Sequence, residues 1–250
     1  MGSELTGATG FIKDQQPNSK FMRRCDRCDP LAWKIMAMIT INDDAWLHVD
    51  DTCCVLNKPA GLPSVPGLGE LAHGSLAQQV QQRYADARVV HRLDMATSGL
   101  ILMARGADWQ RAYSRLFAER RVQKRYLAVV HGLLAQDEGQ IDLPLIADWP
   151  NRPKQKVDTV TGKSSLTLFR VLSRDPSTYR TRLELQPVTG RSHQLRVHLQ
   201  AIGHPIVGDR LYAPFHLQNE SHRLLLHSQA LSVLHPHTTH TMLWRADPDF

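Results

Sequence analysis

The chain has 250 residues, 42% of them apolar, with 30 basic and 24 acidic side chains and a net charge of +6. That length holds one large domain or two small ones, with enough apolar residues for a core. Four cysteines do not make a disulfide scaffold, no run of about 18 apolar residues indicates a membrane span, and the polar N-terminal stretch lacks the apolar centre of a secretory signal, so we expect a cytoplasmic protein.

Residues 1–30 mix Gly, Ser, Thr, Asp, Asn and Gln without a hydrophobic period. We read residues 1–45, which carry no net charge, as a disordered leader or extension, and 46–250 as one globular domain. Cys25 and Cys28 have the spacing of a zinc-ligand pair. A structural site needs about four ligands and no second such pair follows, so we expect no metal. Trp46–Val49 and Cys53–Asn57 read as strands around a turn at Asp50 and Asp51, with Cys53 and Cys54 in the core. Ser75 caps a helix bearing Leu76, Val80 and Tyr84 at four-residue spacing. Val89-Val90 and Leu100–Ala104 are short strands, and Trp109, Ala112, Leu116 and Phe117 mark a second amphipathic helix.

Tyr126–Val130 is a β-branched and aromatic strand that Gly132 stops. Residues 143–160 read as a long polar loop carrying Arg152, Lys154 and Lys156. Leu166–Val171 and Tyr179–Val188 alternate as half-buried strands do. Ser192–Ile202 is a helix closed by Gly203, and Leu224–Leu226 and Leu231–Leu234 are two late strands. Strands joined by short turns, with few regular βαβ units, indicate an α+β domain. Between residues 83 and 125, ten basic side chains face four acidic ones, and arginine outnumbers lysine 22 to 8 overall. Arginine is the better fork for phosphate and also stacks on bases. The excess therefore fits a nucleic-acid partner as well as a solvated basic surface.

Three segments can carry chemistry. His91-Arg92-Leu93-Asp94-Met95-Ala96-Thr97-Ser98-Gly99 is an irregular loop between two strands that presents one carboxylate beside an arginine and a histidine. A turn in which Asp94 caps a backbone amide would look the same. In Lys124–Val130, Tyr126 shares a strand face with Ala128 and Val130, as core or as a platform for a base. In Thr189–Leu199, Leu195, Leu199 and Ile202 share one helix face while His193, Arg196 and Gln200 share another. That polar face is either solvated or aimed at Asp94, whose orientation Arg196 would then fix. The sequence has no HExxH, Walker loop, GxGxxG or Gly-x-Ser-x-Gly elbow. The crowd of histidines after residue 192 reads as a polar tail.

Together with Asn57-Lys58-Pro59-Ala60-Gly61-Leu62, these segments resemble four ordered motifs of the RluA family of pseudouridine synthases, over about residues 46–250. The resemblance implies the pseudouridine synthase fold: a mixed, mainly antiparallel, bent sheet flanked by helices and loops, with a catalytic cleft across it. It implies isomerisation of uridine to pseudouridine without a cofactor, and we expect no S4-like RNA-binding domain ahead of the first motif. By resemblance, Asp94 is the catalytic aspartate, Tyr126 contacts the target base and Arg196 pairs with Asp94. Arg92 fills the gap left by a flipped base or else serves as a phosphate contact or structural ion pair, and Leu226 supplies a dry wall or is plain core. His91, Arg191 and His193 face the RNA, and Arg152, Lys154 and Lys156 contact its backbone or are solvated loop charges. The stretch Leu143–Val157 and the ending Asp247–Phe250 are most similar to the family's dual-specificity members. This implies a tRNA anticodon stem-loop and a 23S rRNA hairpin as substrates. A family synthase with another RNA target, and an RNA-binding or remodelling module with secondary catalysis, are the competing readings. We expect a monomer.

Overall fold

The computed structural model describes residues 39–67, 72–238 and 240–250. The Cys25/Cys28 pair and nearly all of the expected leader lie outside them. Residues 39–45, assigned by sequence to the leader, lie on the domain. Ile39 and Ile41 pack against the core, and the two segments exchange bonds through Gln79, which accepts from the Ile41 amide and donates to the Ile39 carbonyl, each at 2.9 Å.

Strands β1 (Trp46–Val49), β2 (Cys53–Lys58), β3 (Ala87–Val89), β4 (Ser98–Arg105), β5 (Val122–His131), β6 (Glu138–Asp142), β9 (Leu166–Asp175), β10 (Arg180–Pro187), β11 (Leu226–Leu234) and β12 (Thr241–Arg245) make one sheet. A separate hairpin pairs β7 (Leu145–Ala147) with β8 (Gln155–Val157). Helices α1 (Leu76–Arg83), α2 (Gly106–Ala118) and α3 (Gln194–Ala201) flank the sheet. The expected α+β architecture with a mixed, mainly antiparallel sheet is the one observed.

The central strands read as unbroken apolar runs because both of their faces are covered. Cys54, Leu56, Ile101 and Met103 point into one core with Leu76, Val80, Leu195 and Leu199 from α1 and α3. Cys53, Val55, Leu100, Leu102 and Ala104 point into the other with Tyr113 and Leu116 from α2. Ser75 opens α1 with a full capping box, its hydroxyl accepting from the Gln78 amide while Gln78 reaches back. Gly203 closes α3 at φ +85°, a left-handed cap that suits glycine.

Three readings are corrected. The polar loop at 143–160 contains the β7–β8 hairpin, tied down by Tyr212, whose hydroxyl accepts from the Gln155 amide at 2.8 Å. The two late strands are one, β11, with an irregularity in its pairing to β5 between Ser228 and Ala230. Ile202 is not on the buried face of α3 but is partly exposed, at 37%.

The sheet has two halves. β1, β2, β3 and β4 form one, and β11, β12, β5, β10, β9 and β6 form the other. They meet where Ser98 and Gly99 pair in parallel with His227 and Ser228. Beyond this joint β4 turns to β3 and β11 turns to β12, so the sheet forks. Gly99 stands at the fork with φ +107°, and a Cβ there would lie 2.5 Å from the Ser228 amide nitrogen and nearer still to its carbonyl oxygen. Neither the backbone conformation nor the space admits a side chain. Gly99→Ala is expected to lower the unfolding free energy by about 2–4 kcal/mol in a denaturant titration, through combined strain and loss of the joint.

Candidate active site

The loop 90–97 that precedes the joint is held from below by the loop after β2. Ser64 Oγ donates to the Leu93 carbonyl at 2.8 Å and accepts from the Leu93 amide at 3.1 Å. The Gly61 amide and Lys58 Nζ both donate to the Met95 carbonyl, at 2.8 and 3.1 Å. Lys58 also donates to the Pro59 and Leu62 carbonyls and is fully buried. Burial pulls its ammonium down to about 7, with the charge of Asp94 acting the other way. Leu93 is thus sunk into the core and Asp94, the next residue, is left facing outward with 25% of its side chain exposed.

Asp94 lies in a cleft of about 760 Å³ that also contains Tyr126, Arg196, Arg92, His91, Arg191, His193 and Leu226. Eight residues predicted from separate segments of the sequence therefore share one cavity. Arg152, Lys154 and Lys156 are not among its lining; they belong to the β7–β8 hairpin region.

The two oxygens of Asp94 face different donors. Oδ2 is 3.8 Å from Arg196 Nη1, and Oδ1 is 4.0 Å from His193 Nε2. Both donors are firmly held elsewhere. Arg196 donates from Nε and Nη2 to the two oxygens of Asp209 at 2.8 and 2.7 Å. Burial works against its charge, but those bonds outweigh burial and hold the guanidinium above its usual range. His193 adopts a left-handed conformation at φ +55°, just ahead of α3, and its Nδ1 lies 2.6 Å from Tyr212 Oη. Tyr212 Oη also accepts from the Gln155 amide, and which of Tyr212 and His193 Nδ1 donates between them follows the imidazole tautomer. Burial holds His193 below its usual range and pushes the Tyr212 phenol up to about 12. With Nδ1 accepting from Tyr212, the neutral imidazole carries its proton on Nε2, the nitrogen that faces Asp94.

Tyr126 is buried at the cleft floor, beside Leu226. Burial pushes its phenol up to about 12, against a hydrogen bond with Ser228 and with the Asp94 charge adding to the rise. His91 faces inward: its Nε2 accepts from the Leu102 amide at 2.9 Å and its ring stacks on Phe117 at 4.3 Å. Arg92 and Arg191 are exposed. Ser98 reaches across the joint to His227 Nδ1 at 2.8 Å and accepts from Arg223.

Sequence reasoning missed two lining cations and one carboxylate. Lys124 and Arg120 line the cleft, and burial lowers the Lys124 ammonium. Asp209 has a side chain with no exposure and was not singled out at all. Its signal was available: it is the first acidic or basic residue after Arg196, histidines aside, in an otherwise uncharged stretch. Asp94 is the one carboxylate among the described residues that line the cleft.

His48, Asp50 and Cys53 lie close enough together to hold a cation. Their donors serve the β1–β2 turn instead. Asp50 accepts from the Thr52 and Cys53 amides and pairs with His48, and burial pushes the Cys53 thiol up to about 11. Of the late histidines, His235 and His237 pack edge-on against Trp109.

Residues 52–201 match a family described as RNA pseudouridylate synthase. The chain is 50% identical over 204 residues to the dual-specificity RNA pseudouridine synthase RluA of Yersinia pestis, covering 82% of this chain and 98% of that one. Against the protein of the same description from Escherichia coli strain K12 the identity is 48%, covering 82% and 93%. Among solved structures, the human RNA pseudouridylate synthase domain containing 1 superposes with a TM-score of 0.70 at 27% identity, over 85% of this chain and 87% of that one.

Lys58→Met keeps the length and apolar character of the stem and removes three donors from buried carbonyls. It is expected to lower the unfolding free energy by about 3 kcal/mol, read by denaturant titration. In hydrogen exchange, the amides of residues 93–97 should lose protection before those of β4. Unchanged protection in that loop would show that Gly61 and Ser64 hold it alone.

Proposed function

The chain belongs to the RNA pseudouridylate synthase family and isomerises uridine to pseudouridine in RNA, and we propose that Asp94 is the carboxylate that carries the reaction. The observation that supports this most is that Asp94 is the single carboxylate among the described residues lining a cleft whose other groups are cationic, neutral polar or apolar. The reaction breaks the N1–C1′ bond, turns the uracil and joins C5 to C1′. C5 loses a proton and N1 gains one, so nothing is added overall. Hydrolysis of a glycoside typically uses two carboxylates, one to protonate the leaving group and one to attack or activate water. Here the second nearby carboxylate, Asp209, has no exposure and both of its oxygens are bonded to Arg196. One ionised group suits a reaction that keeps the uracil and has no use for water, whether it acts on the sugar, the base or a ribose proton.

Tyr126 and Leu226 supply the apolar floor on which the uracil lies, and Arg196 and His193 face the Asp94 carboxylate. The target nucleotide must leave its stack, at a cost of a few kcal/mol that is least in loops. Arg92, exposed at the cleft, is placed to fill the space it leaves. Arg191 faces the RNA from the turn before α3. His91, its ring engaged by Phe117 and the Leu102 amide, steadies the loop that carries Arg92 and Asp94 in place of the expected RNA contact. Arg152, Lys154 and Lys156 contact the phosphate backbone from the hairpin. We infer the substrates from the dual-specificity relatives: a tRNA anticodon stem-loop and a 23S rRNA hairpin, modified by a monomer in the cytoplasm. Among the described residues no helix is long and apolar enough to cross a membrane.

Purified protein incubated with unmodified transcripts of both RNAs, followed by pseudouridine mapping at nucleotide resolution, tests this reading. Product is expected in the anticodon loop and in the hairpin. Asp94→Asn should abolish it while RNA binding persists; activity in that variant would remove Asp94 from the mechanism. Binding should also weaken steeply with salt, since each phosphate contact releases a counterion. A flat salt response would exclude the assigned Arg and Lys contacts.

A further inference from the structure

Trp149, Pro150 and Asn151 form a single 3-10 turn at the tip of the β7–β8 hairpin. The tip is closed on itself. The Asp148 amide donates to the Lys154 carbonyl at 2.9 Å and the Lys154 amide to the Asn151 carbonyl at 3.0 Å. The Asn151 amide and side chain donate to the Asp148 carbonyl and carboxylate, at 3.0 and 2.9 Å. The base of the hairpin is held as well. Leu145 is buried and exchanges two backbone bonds with Lys163, at 3.0 and 2.8 Å, and the Gln155 amide donates to Tyr212. The hairpin is therefore a fixed arm, and what it displays at its tip has a defined place.

What it displays is an indole. Trp149 is 68% exposed, although tryptophan is on average one of the more buried residues. It adds little to the core from there. The Arg152 guanidinium lies over the ring, 3.0 Å from its centre. That contact covers one face of the indole and fixes its tilt, and the other face is left to solvent. The same hairpin carries Arg152, Lys154 and Lys156 against the one carboxylate of Asp148, which is bonded to Asn151. Phe215 and Tyr179 are also exposed, but among the described residues neither has a cation over its ring. An open aromatic face beside a cluster of cations matches the two parts of an unpaired nucleotide. The ring takes the base and the cations take the phosphates.

We propose that Trp149 is a stacking platform for an unpaired base of the RNA, with Arg152 backing the ring. Trp149 is not among the residues that line the cleft of Asp94, so the base it takes is a second one, distinct from the uracil that reacts. This rests on the reading of structured RNA loops as substrates. Stacking accepts every base, because each has a flat π-face. A platform of this kind selects loops that can present a second unstacked base at the right reach from the target, whatever its identity. It therefore suits a synthase that serves two RNAs of different sequence.

The test compares Trp149→Ala, Trp149→Leu, Trp149→Phe and Asp94→Asn with the unaltered chain. The RNAs are the anticodon stem-loop, the 23S rRNA hairpin, an unstructured oligouridine and a blunt duplex without unpaired bases. Affinity across a salt series, tryptophan emission, thermal melting and pseudouridine formation are measured. Trp149→Ala and Trp149→Leu are expected to weaken binding to both hairpins about tenfold, or about 1.4 kcal/mol, while Trp149→Phe keeps most of the affinity. The loss should be the same at every salt concentration, because stacking releases no counterion. The chain has five tryptophans, so the signal of Trp149 is the difference in emission between the unaltered chain and Trp149→Phe. The two hairpins and the oligouridine should quench it, and the duplex should not. The quench should persist in Asp94→Asn. In each hairpin one abasic position other than the target should weaken binding about tenfold, with no further effect in Trp149→Ala.

Unchanged hairpin affinity in Trp149→Ala overturns the platform. So does full affinity in Trp149→Leu, which would show that bulk and not a flat ring is required. A lowered salt slope or melting temperature in Trp149→Ala also overturns it, since the loss would then come from displacing Arg152, Lys154 and Lys156 with the hairpin. Abasic effects that simply add to that of Trp149→Ala place the base elsewhere. Self-association of the unaltered chain that Trp149→Ala abolishes, with RNA affinity unmoved, assigns the indole to a second copy instead. Pseudouridine in both hairpins beside an unaffected Trp149→Ala sinks the platform only. Failure of the unaltered chain to bind any of the RNAs sinks the substrate reading and the platform together.

Discussion

Two sheet halves meet at one glycine. The parallel contact of Ser98 and Gly99 with His227 and Ser228 is where the half built around β4 becomes continuous with the half built around β5 and β11. The cleft straddles this joint: Asp94 arrives from the loop before β4, and Tyr126 and Leu226 arrive from β5 and the start of β11. A carboxylate from one half and an apolar floor from the other are brought into register by a backbone approach that no side chain can enter. The motif loop at 57–64 has a role in the same construction, since its Lys58, Gly61 and Ser64 hold the carbonyls and amide on either side of Asp94. The loop that carries Asp94 is irregular and yet fixed, the condition under which a loop can carry chemistry on a rigid scaffold.

Charge is distributed by depth. Arg92 and Arg191 are exposed at the rim of the cleft. Lys124 is half-buried with a lowered ammonium, so its charge is held less firmly as the floor is approached. At the floor Arg196 is almost wholly enclosed and its charge is matched by Asp209. An RNA approaching the cleft meets net positive charge at the rim and a balanced pair below it, so attraction and chemistry fall to different residues. Lysine and arginine are not interchangeable here: only the planar fork of arginine can bind Asp209 along one edge and face Asp94 with another.

Much of the site was legible in the sequence and the reason is local. His91–Gly99 and Thr189–His198 each place several functional groups within one loop or one helix turn, so motif and geometry coincide. The central strands were legible because burial on both faces writes an unbroken apolar run. Elements at the margins were not. β6 buries only Ile141 fully, and β12 alternates between exposed and half-buried positions, so neither carries a strong pattern. The continuity of β11 was hidden by Gln229 at its irregularity. Arg196 was identified, but its principal partner was assigned as Asp94. Local spacing says which residues share a helix face, and it does not say which of two distant carboxylates a guanidinium will choose. Asp209 reaches Arg196 because the loop after α3 folds back on it, with Gly208 at φ +76° packed against the Arg223 backbone. That return is a tertiary event.

The hairpin correction bears on how RNA binding connects to the reaction. Read as a loop, residues 143–160 would present Arg152, Lys154 and Lys156 on a mobile tether, and phosphate contact there would say nothing about Asp94. As a hairpin its backbone is joined to the active site in two hydrogen bonds, from the Gln155 amide to Tyr212 and between Tyr212 and His193, whose other nitrogen faces Asp94. Lys154, just ahead of β8, and Lys156, within it, stand on either side of Gln155. On the proposed reading, a phosphate drawn to those lysines would pull on the strand whose amide orients Tyr212. Binding energy from parts of the substrate far from the reacting bond can then be used to set the donors around the carboxylate, which is how remote contacts raise a rate and not only an affinity.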